Sequence, residues 1–496
     1  MQERESVFGF IRKARWLFLV LSACAPAPPP SPVRCLEDVA LGEMQEDSAV
    51  VWAREEEYGF LHLFIPAISR GFVAPFLPTF DHTARVILHF NEKERELLEK
   101  NPHLIIWASF SPENNEAPPP QCAARRLRLP PSSQAFFPFR IAFSADIGGQ
   151  NLCRLVRGGF PTLAKMGERP HDARILLGDL IYVDEPCEQT SVFGDPQIPF
   201  EPPLGADLLD LYRARWQYAE KDEGYRRLRW GSYVIWDDHE VVNDADPHSA
   251  RWPGPVPSPM IFPIARRAFL EHHPFPMAPD DLETPLYRAV KWGSAIEILI
   301  LDTRSHRDPN RALDSNERPK SLLGSRQRQW LIERINQSTA RWLVIATTVP
   351  FGVPTGGKGQ RDGWADGGSQ RGRMRELLGI LDALRRSGRT QLLVISADLH
   401  TTLALRYRPF PEDPRFEVIE IVVGPLSALL FPRETLESRL NPELLFSHYP
   451  LYPPTTLEEA LPYFTWGELE AENPTRLIAS IWNASGQLWS IEVNSP

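Results

Sequence analysis

Apolar runs that end abruptly in acidic residues recur along this chain. Tyr233-Val234-Ile235-Trp236 is aromatic and β-branched, the composition of a buried strand. It runs directly into Asp237-Asp238-His239-Glu240. Phe139–Ser144 leads to Asp146, Arg174–Leu177 to Gly178-Asp179, Ile296–Leu301 to Asp302, and Leu392–Ser396 to Asp398-Leu399-His400. Other stretches carry the helical period instead. Ser369–Arg386 presents Met374, Leu377, Leu378, Leu381 and Leu384 as one stripe, with Ser369 as the expected cap and Gly388 as the stop. Arg385 and Arg386 suit the negative end of that helix. Ser325–Asn336 and Leu208–Ala219 are further predicted helices, with Trp330 and Trp216 in the core. Strands alternating with helices predict an α/β sheet, whose functional residues gather beyond the carboxyl ends of the strands. Buried unpaired charge is very unfavourable. Several carboxylates and two histidines brought together there predict a metal site of oxygen and imidazole ligands.

The pattern before Phe139 differs. Ser48–Ala53, Ala84–Phe90 and His103–Ala108 are short predicted strands, and 75–78 and 112–120 read as loops. Residues 35–136 are therefore expected to form a small β-sandwich that positions the catalytic region, 137–496. No chemistry is evident in it, and His62, His82, His89 and His103 are expected to be structural or surface residues and not ligands. Pro-rich loops at 185–203 and 246–259 are expected to wall the site. Leu477–Trp482 and Gln487–Val493 read as a closing hairpin through Asn483 and Gly486.

Of 496 residues, 49 are proline, and a formal charge of −10 argues against a general nucleic-acid-binding surface. Arg12, Lys13 and Arg15 precede an apolar stretch, Trp16–Ala23, too short to span a bilayer. It ends in Leu21-Ser22-Ala23-Cys24, which resembles a lipobox. That implies removal of residues 1–23, lipidation of Cys24 and a Pro-rich tether over 24–34. The alternative is an ordinary signal peptide with Cys24 incidental. Either makes the protein an exported one, and the first places it at a membrane of the bacterial envelope. Export allows Cys35, Cys122, Cys153 and Cys187 to pair, in any of three connectivities.

Asp146-Ile147-Gly148, Gly178–Asp184, Trp236–Glu240 and Asp398-Leu399-His400 occur in the order of the metallophosphoesterase blocks. Gly-Asp-x-Ile-Tyr-x-Asp and Trp-Asp-Asp-His-Glu resemble the marks of the PhoD-like alkaline phosphatase and phosphodiesterase family within that superfamily. Ser48–Arg54, Leu301–Arg304, Asp362-Gly363-Trp364 and Gly424–Ala428 look like further blocks, so the resemblance spans most of the chain. The resemblance implies a four-layer α/β sandwich of two mixed sheets flanked by helices, preceded by the small β-sandwich domain. It implies two or more metal ions, with Asp179 bridging. Asp146, Tyr182 and His400 would complete one site, and Asp238 with Asp398 would hold the second. The phenolate suits Fe(III), and the oxygen-rich second site suits Ca(II), with Mn, Mg or Zn as alternatives. His239 takes the position of the catalytic histidine, and Arg304 and Arg307 are candidate phosphate clamps. Asp184, Asp237, Glu240 and Asn243 are expected to support these groups or contact substrate. Lys358, Arg361 and Trp364 are expected at the pocket mouth, while His248, His272, His273 and His306 are not expected to be ligands.

The chain departs from the family at two places. Asp146 stands where many members have cysteine. The strand Trp342–Ala346 runs into Thr347 and Thr348 where the superfamily has a histidine ligand. The function implied is hydrolysis of phosphate mono- or diesters by a metal-bridging hydroxide, from a monomer. Two alternatives are a phosphodiesterase acting on an envelope or extracellular polymer or lipid, and a non-catalytic metal-binding envelope lipoprotein.

Overall fold

The computed structural model describes residues 33–100, 104–114, 122, 125–248, 258–432 and 435–493. The leader, Cys24, tether residues 25–32, His103, and the parts of the expected loops at 115–120 and 249–257 lie outside the described residues.

Two large mixed sheets form the centre. One has nine strands in the order Gly486–Val493, Arg476–Asn483, Thr465–Asn473, Phe139–Ser144, Ala173–Leu177, Trp230–Ile235, Val39–Gly42, Ser48–Arg54 and Thr83–His89. The four strands from Phe139–Ser144 to Val39–Gly42 are mutually parallel. The other sheet runs Arg288–Trp292, Ile296–Ile300, Trp342–Ala346, Gln391–Ser396, Glu417–Val422, Thr402–Tyr407 and Pro442–His448. Its strands from Ile296–Ile300 to Glu417–Val422 are also parallel.

Period-two alternation divides the seven-stranded sheet between two cores. Ile296, Ile298, Ile300, Val344, Ala346, Leu393 and Ile395 point towards the nine-stranded sheet and share a core with Ile141, Phe143 and Ile175. Leu299, Ile345 and Val394 point the other way, onto Leu331 and Ile335 of helix Gly324–Gln337 and Leu377 and Leu381 of helix Met374–Arg386. Helices Leu208–Glu220 and Ser258–Glu271 pack on each other and bury Trp216, Ala265 and Phe269 in the first core. The helix–sheet–sheet–helix layering expected of this sequence is the one observed.

The amino-terminal sheet domain is present, and one of its layers is continuous with the catalytic sheet. Arg34–Cys35, Phe60–Ile65, Arg70–Pro75, Leu104–Ser111 and Arg125–Leu127 form a separate five-stranded sheet. Val39–Gly42 instead pairs in parallel with Trp230–Ile235, and carries Ser48–Arg54 and Thr83–His89 with it. Cys35 pairs with Cys122, and Cys153 with Cys187.

One helix starts later than its pattern predicts. It begins at Met374, and Ser369 does not cap it. Gly367, Gly368 and Gln370 all take left-handed backbone, which breaks the helical path ahead of Arg373. Its other end behaves as expected, with Gly388 left-handed at φ 84°. Among the described residues no helix is long and apolar enough to cross a membrane.

Candidate metal centre

The parallel strands of both sheets end on one edge, and there the chain turns into unfavourable backbone. Asp146 (φ 59°), Asp179 (52°), Asp398 (66°) and His400 (54°) are all left-handed. Such positions cost roughly 1–3 kcal/mol each and concentrate at functional sites. The turns are tight. A Cβ on Gly178 would lie 2.5 Å from the Cβ of Asp237, so only glycine lets the two loops approach. Backbone bonds then lock the edge together. Asp146 donates its amide to the Gly178 carbonyl at 3.3 Å, and Ser427 donates to the Asp146 carbonyl at 3.0 Å, joining the two sheets.

This geometry gathers the predicted ligands into overlapping groups. Single ligand atoms from Asp146, Asp179 and His400 lie within 4.8 Å of one another, and so do atoms from Asp179, Asp237, Asp238 and Asp398. Another group joins Asp179 and Asp238 to His239, and Asp179 belongs to all three. The donor set fits cations. Both carboxylate oxygens of Asp146 and one of Asp238 are buried without a hydrogen-bond donor. Native structures rarely leave buried polar atoms so, and an ion is one explanation. Burial and the neighbouring carboxylates push Asp146 and Asp179 well above the usual carboxylate range, as Asp179 is faced by Asp238, Asp237 and Glu240. A bound cation reverses that pressure.

The two histidines are set differently. His400 donates from Nδ1 to the Leu429 carbonyl at 2.5 Å, which leaves Nε2 to accept from the Tyr182 hydroxyl at 2.9 Å. Nε2 also lies 3.7 Å from Asp146 Oδ1. Burial holds His400 down to about 4, so its ring is neutral. Burial pulls His239 in the same direction, but Asp184 at 2.8 Å and the Asp238 charge win and push it up to about 10. Asp184 and Asp238 thus favour the protonated ring. Tyr182 is wholly buried, its ring 4.1 Å from that of His239.

Supporting residues act chiefly on the backbone. Glu240 accepts from the amides of Asp179 (3.0 Å), Leu180 (2.7 Å) and Asp237 (2.6 Å), which fixes two ligand loops with one carboxylate. Asp184 holds His239 through Oδ1 and the Asn243 amide through Oδ2 at 2.8 Å. Thr348, where the superfamily has a histidine, donates to Asp237 at 2.5 Å and touches Thr303. Asp302 caps its own loop, accepting from the amides of Arg304 and Ser305.

Arg304 and Arg307 require a correction as phosphate clamps. Both are completely buried, and neither lines the cavity. Arg304 grips Asp237 at 2.5 and 2.9 Å and Asp362 at 2.8 Å, and lies 3.4 Å from Asp238 and 3.9 Å from Asp398. Arg307 is taken by Asp362 at 2.5 Å and the Thr303 carbonyl at 2.7 Å. The donors of Arg304 are spent on carboxylates beneath the site, whereas Arg307 keeps Nη2 buried without a hydrogen-bond partner. The expected mouth residues also shift. Trp364 packs on Phe351, Arg361 bonds the carbonyls of Gly356 and Asp366, and Lys358 is exposed outside the cavity lining. His272 lies away from the centre between Asp81 and Glu220, and His273 donates to the Phe269 carbonyl.

A cavity of about 380 Å³ opens over the cluster. Asp179, Asp238, Asp398, His239, His400 and Asn243 line it. So do Asp244 and Asp362, which form a fourth group with Asp238. The repeated strand-to-acid pattern did not single these two out, because they sit in loops. Gln150, Thr355 and Phe431 also line the wall and carried no signal in the sequence.

A family profile for PhoD-like phosphatases matches residues 143–451. Alkaline phosphatase D of Bacillus subtilis (strain 168) is 27% identical over 278 residues, 51% of this chain and 45% of that protein. The chain thus spans less than half the length of that relative. A solved PhoD structure superposes with a TM-score of 0.67 at 18% identity, covering 95% of this chain and 94% of that one. The purple acid phosphatase PPD1 from yellow lupin (Lupinus luteus) seeds superposes at 0.56 and 11% identity, over 92% and 74%. Both superpositions bear on the fold.

Proposed function

This chain belongs to the PhoD-like phosphatase family, and on that premise we propose that it hydrolyses phosphate esters at a two-cation centre. The observation that carries the reading is Asp179, shared by three overlapping ligand groups at the floor of a cavity that His239 also lines. Asp146, Asp179, Tyr182 and His400 would hold one cation, and Asp179, Asp238 and Asp398 the other. Two such ions, when bound, supply a water of lowered pKa and Lewis-acid contacts to the ester oxygens. The residues of the chain do the rest. Asp179 and Asp398, fixed by strained backbone, keep the donor geometry. His239, held protonated by Asp184, faces the cavity as the proton donor to the departing alkoxide. Asp237 and Arg304 neutralise each other below the floor, so ligand charge is set by the other carboxylates.

Fe(III) beside Tyr182 and Ca(II) in the oxygen-rich group form the pair we favour. Support comes from the phenol at 2.9 Å from the same imidazole nitrogen that lies 3.7 Å from Asp146. A phenolate is a hard anionic donor that matches ferric iron. An iron-loaded sample is expected to absorb in the visible, and Tyr182→Phe to lose that band. A coloured mutant would remove the assignment. We also propose export and anchoring through lipidated Cys24. An acylated amino-terminal peptide in mass spectrometry supports this, and an unmodified one beginning elsewhere removes it.

Hydrolysis of p-nitrophenyl phosphate and bis(p-nitrophenyl) phosphate, before and after chelation, tests the activity. Chelation is expected to abolish turnover and metal to restore it. A purified, metal-replete protein inactive on both esters would overturn the reading.

A further inference from the structure

We infer that His272 is a proton-operated clasp between the amino-terminal layer and helices Leu208–Glu220 and Ser258–Glu271, closed while its imidazole is charged and released as the proton leaves in alkali. The inference does not depend on the phosphoesterase reading. The two ring nitrogens face carboxylates from different elements. Nδ1 lies 2.9 Å from Glu220 Oε1, at the end of the first helix, and Nε2 lies 3.1 Å from Asp81 Oδ2, just before strand Thr83–His89. A neutral imidazole carries one N–H, so either tautomer would point a bare nitrogen at an ionised carboxylate. His272 has no exposed surface, and water cannot relieve that contact. Only the imidazolium offers a donor to both sides, and buried charge is tolerated when it is paired. The adjacent His273 is set differently, since its Nδ1 donates to the Phe269 carbonyl at 2.8 Å and burial holds its ring well below the ordinary 6.5.

The charges around the ring come from every element packed there. Arg54 pairs with Asp81 at 3.0 Å, and Gln217 donates to the same carboxylate at 2.7 Å. Arg229 pairs with Glu220 at 3.0 Å and Asp38 at 3.4 Å, and bonds the His272 carbonyl. Arg226 bonds the Glu220 carbonyl at 2.9 Å. Arg85 bonds the carbonyls of Glu271 and His273, while the Glu271 carboxylate goes to Arg213 and Arg267. These cations are arginines, which stay charged, so the imidazole is the one that can lose its proton. Burial and Glu220 push Asp38 up to about 7, so its own titration is nearly complete where the clasp begins to open. A cavity of about 230 Å³ lined by Asp38, Arg54, Gln217 and Glu220 gives the proton a way to solvent. The clasp seats the end of helix Ser258–Glu271, whose Phe262 and Phe269 each pack 5.8 Å from Trp236, directly before Asp237. The seating of the segment behind the candidate metal centre thus depends on pH.

NMR of ring-labelled histidine reads the charge directly. His272 is assigned through His272→Gln or, if that variant does not fold, through the signal that Asp81→Asn and Glu220→Gln both move. Burial pulls the ring down, but Glu220 and Asp81 outweigh it and raise it above its ordinary 6.5. The ring is therefore expected to be doubly protonated at neutral pH. Asp81→Asn is expected to lower its midpoint by about one unit, a tenfold weaker hold on the proton. A raised folded midpoint contributes stability that is full below about pH 6.5 and is lost as pH rises through it. Urea unfolding should accordingly show wild type weakening above neutral pH. Amides of strands Ser48–Arg54 and Thr83–His89, corrected for intrinsic rate, should exchange about tenfold faster at about pH 9 than at neutral pH. Folded His272→Gln should flatten both responses. A His272 ring that is neutral at neutral pH, or a midpoint that Asp81→Asn leaves in place, would overturn the inference. So would a folded His272→Gln protein that keeps the wild-type pH response.

Discussion

Replacing Arg304 by methionine separates two roles that the sequence does not distinguish. The side chain has no exposed surface, and its donors go to Asp237 and Asp362, with Asp238 and Asp398 within 4 Å. Methionine fills much of the same volume without the charge. Removing one partner of a buried ion pair typically costs about 3–5 kcal/mol, because it strands the other charge. Here one cation faces four carboxylates, so we expect the upper part of that range in metal-free protein. Solvent screening offers little relief at such burial. A bound cation would itself neutralise Asp238 and Asp398, so metal should recover part of the loss. Equilibrium urea unfolding, with and without chelator, reads both quantities. We expect a loss of about 4–5 kcal/mol without metal and a clearly smaller one with it. A phosphate clamp would behave differently, with near-wild-type stability and a raised KM. A metal-free Arg304→Met protein destabilised by less than about 1 kcal/mol, the scale of an exposed pair, would refute the reasoning.

Further predictions follow from the same geometry. Cys153→Ser combined with Cys187→Ser unties the loop after Asp146 from the loop after Asp184; we expect a loss of about 2–4 kcal/mol by urea unfolding, and a lower kcat, with unchanged turnover arguing against a positioning role. Gly178→Ala should give little folded protein on size exclusion, because its Cβ would meet Asp237 at 2.5 Å on a backbone with φ 88°. Glu468 sets an acid limit: burial pulls its carboxyl up, but His171 at 2.9 Å and Arg169 at 2.6 Å hold it down to about 2 from an ordinary 4.5. A depressed folded pKa stabilises fully above about pH 4.5, and that contribution, on the order of 3 kcal/mol, disappears as pH falls towards 2. Glu468→Gln should therefore flatten the stability–pH curve over that interval, and an unchanged slope would dismiss the group.

The strand-to-acid pattern made most of the candidate metal centre legible. Asp146, Asp179, Asp238, Asp398 and His400 all follow parallel strands that end on one edge, so hydrophobic period and position sufficed. Partners distant in sequence left no such trace. Arg304 reads as a free cation because Asp237 and Asp362 lie 67 and 58 residues away. Gln150, Thr355 and Phe431 sit in loops, where no period marks a cavity wall. Val39–Gly42 has four buried residues, too few to show alternation, and its pairing with Trp230–Ile235 is what makes the amino-terminal layer continuous with the catalytic sheet. Ser369 looked like a cap because cap residues are recognised by type, whereas the left-handed Gly367, Gly368 and Gln370 decide where that helix begins.

Metal stoichiometry measured beside hydrolysis, for wild type and Asp179→Asn, tests the central claim most directly. Asp179 is common to both proposed cation sites, so the substitution removes one charge from each. The account predicts about two metals per wild-type chain, and loss of both metals and of hydrolysis in the folded mutant. An Asp179→Asn protein that keeps both metals, or hydrolyses phosphate esters at the wild-type rate, would contradict it.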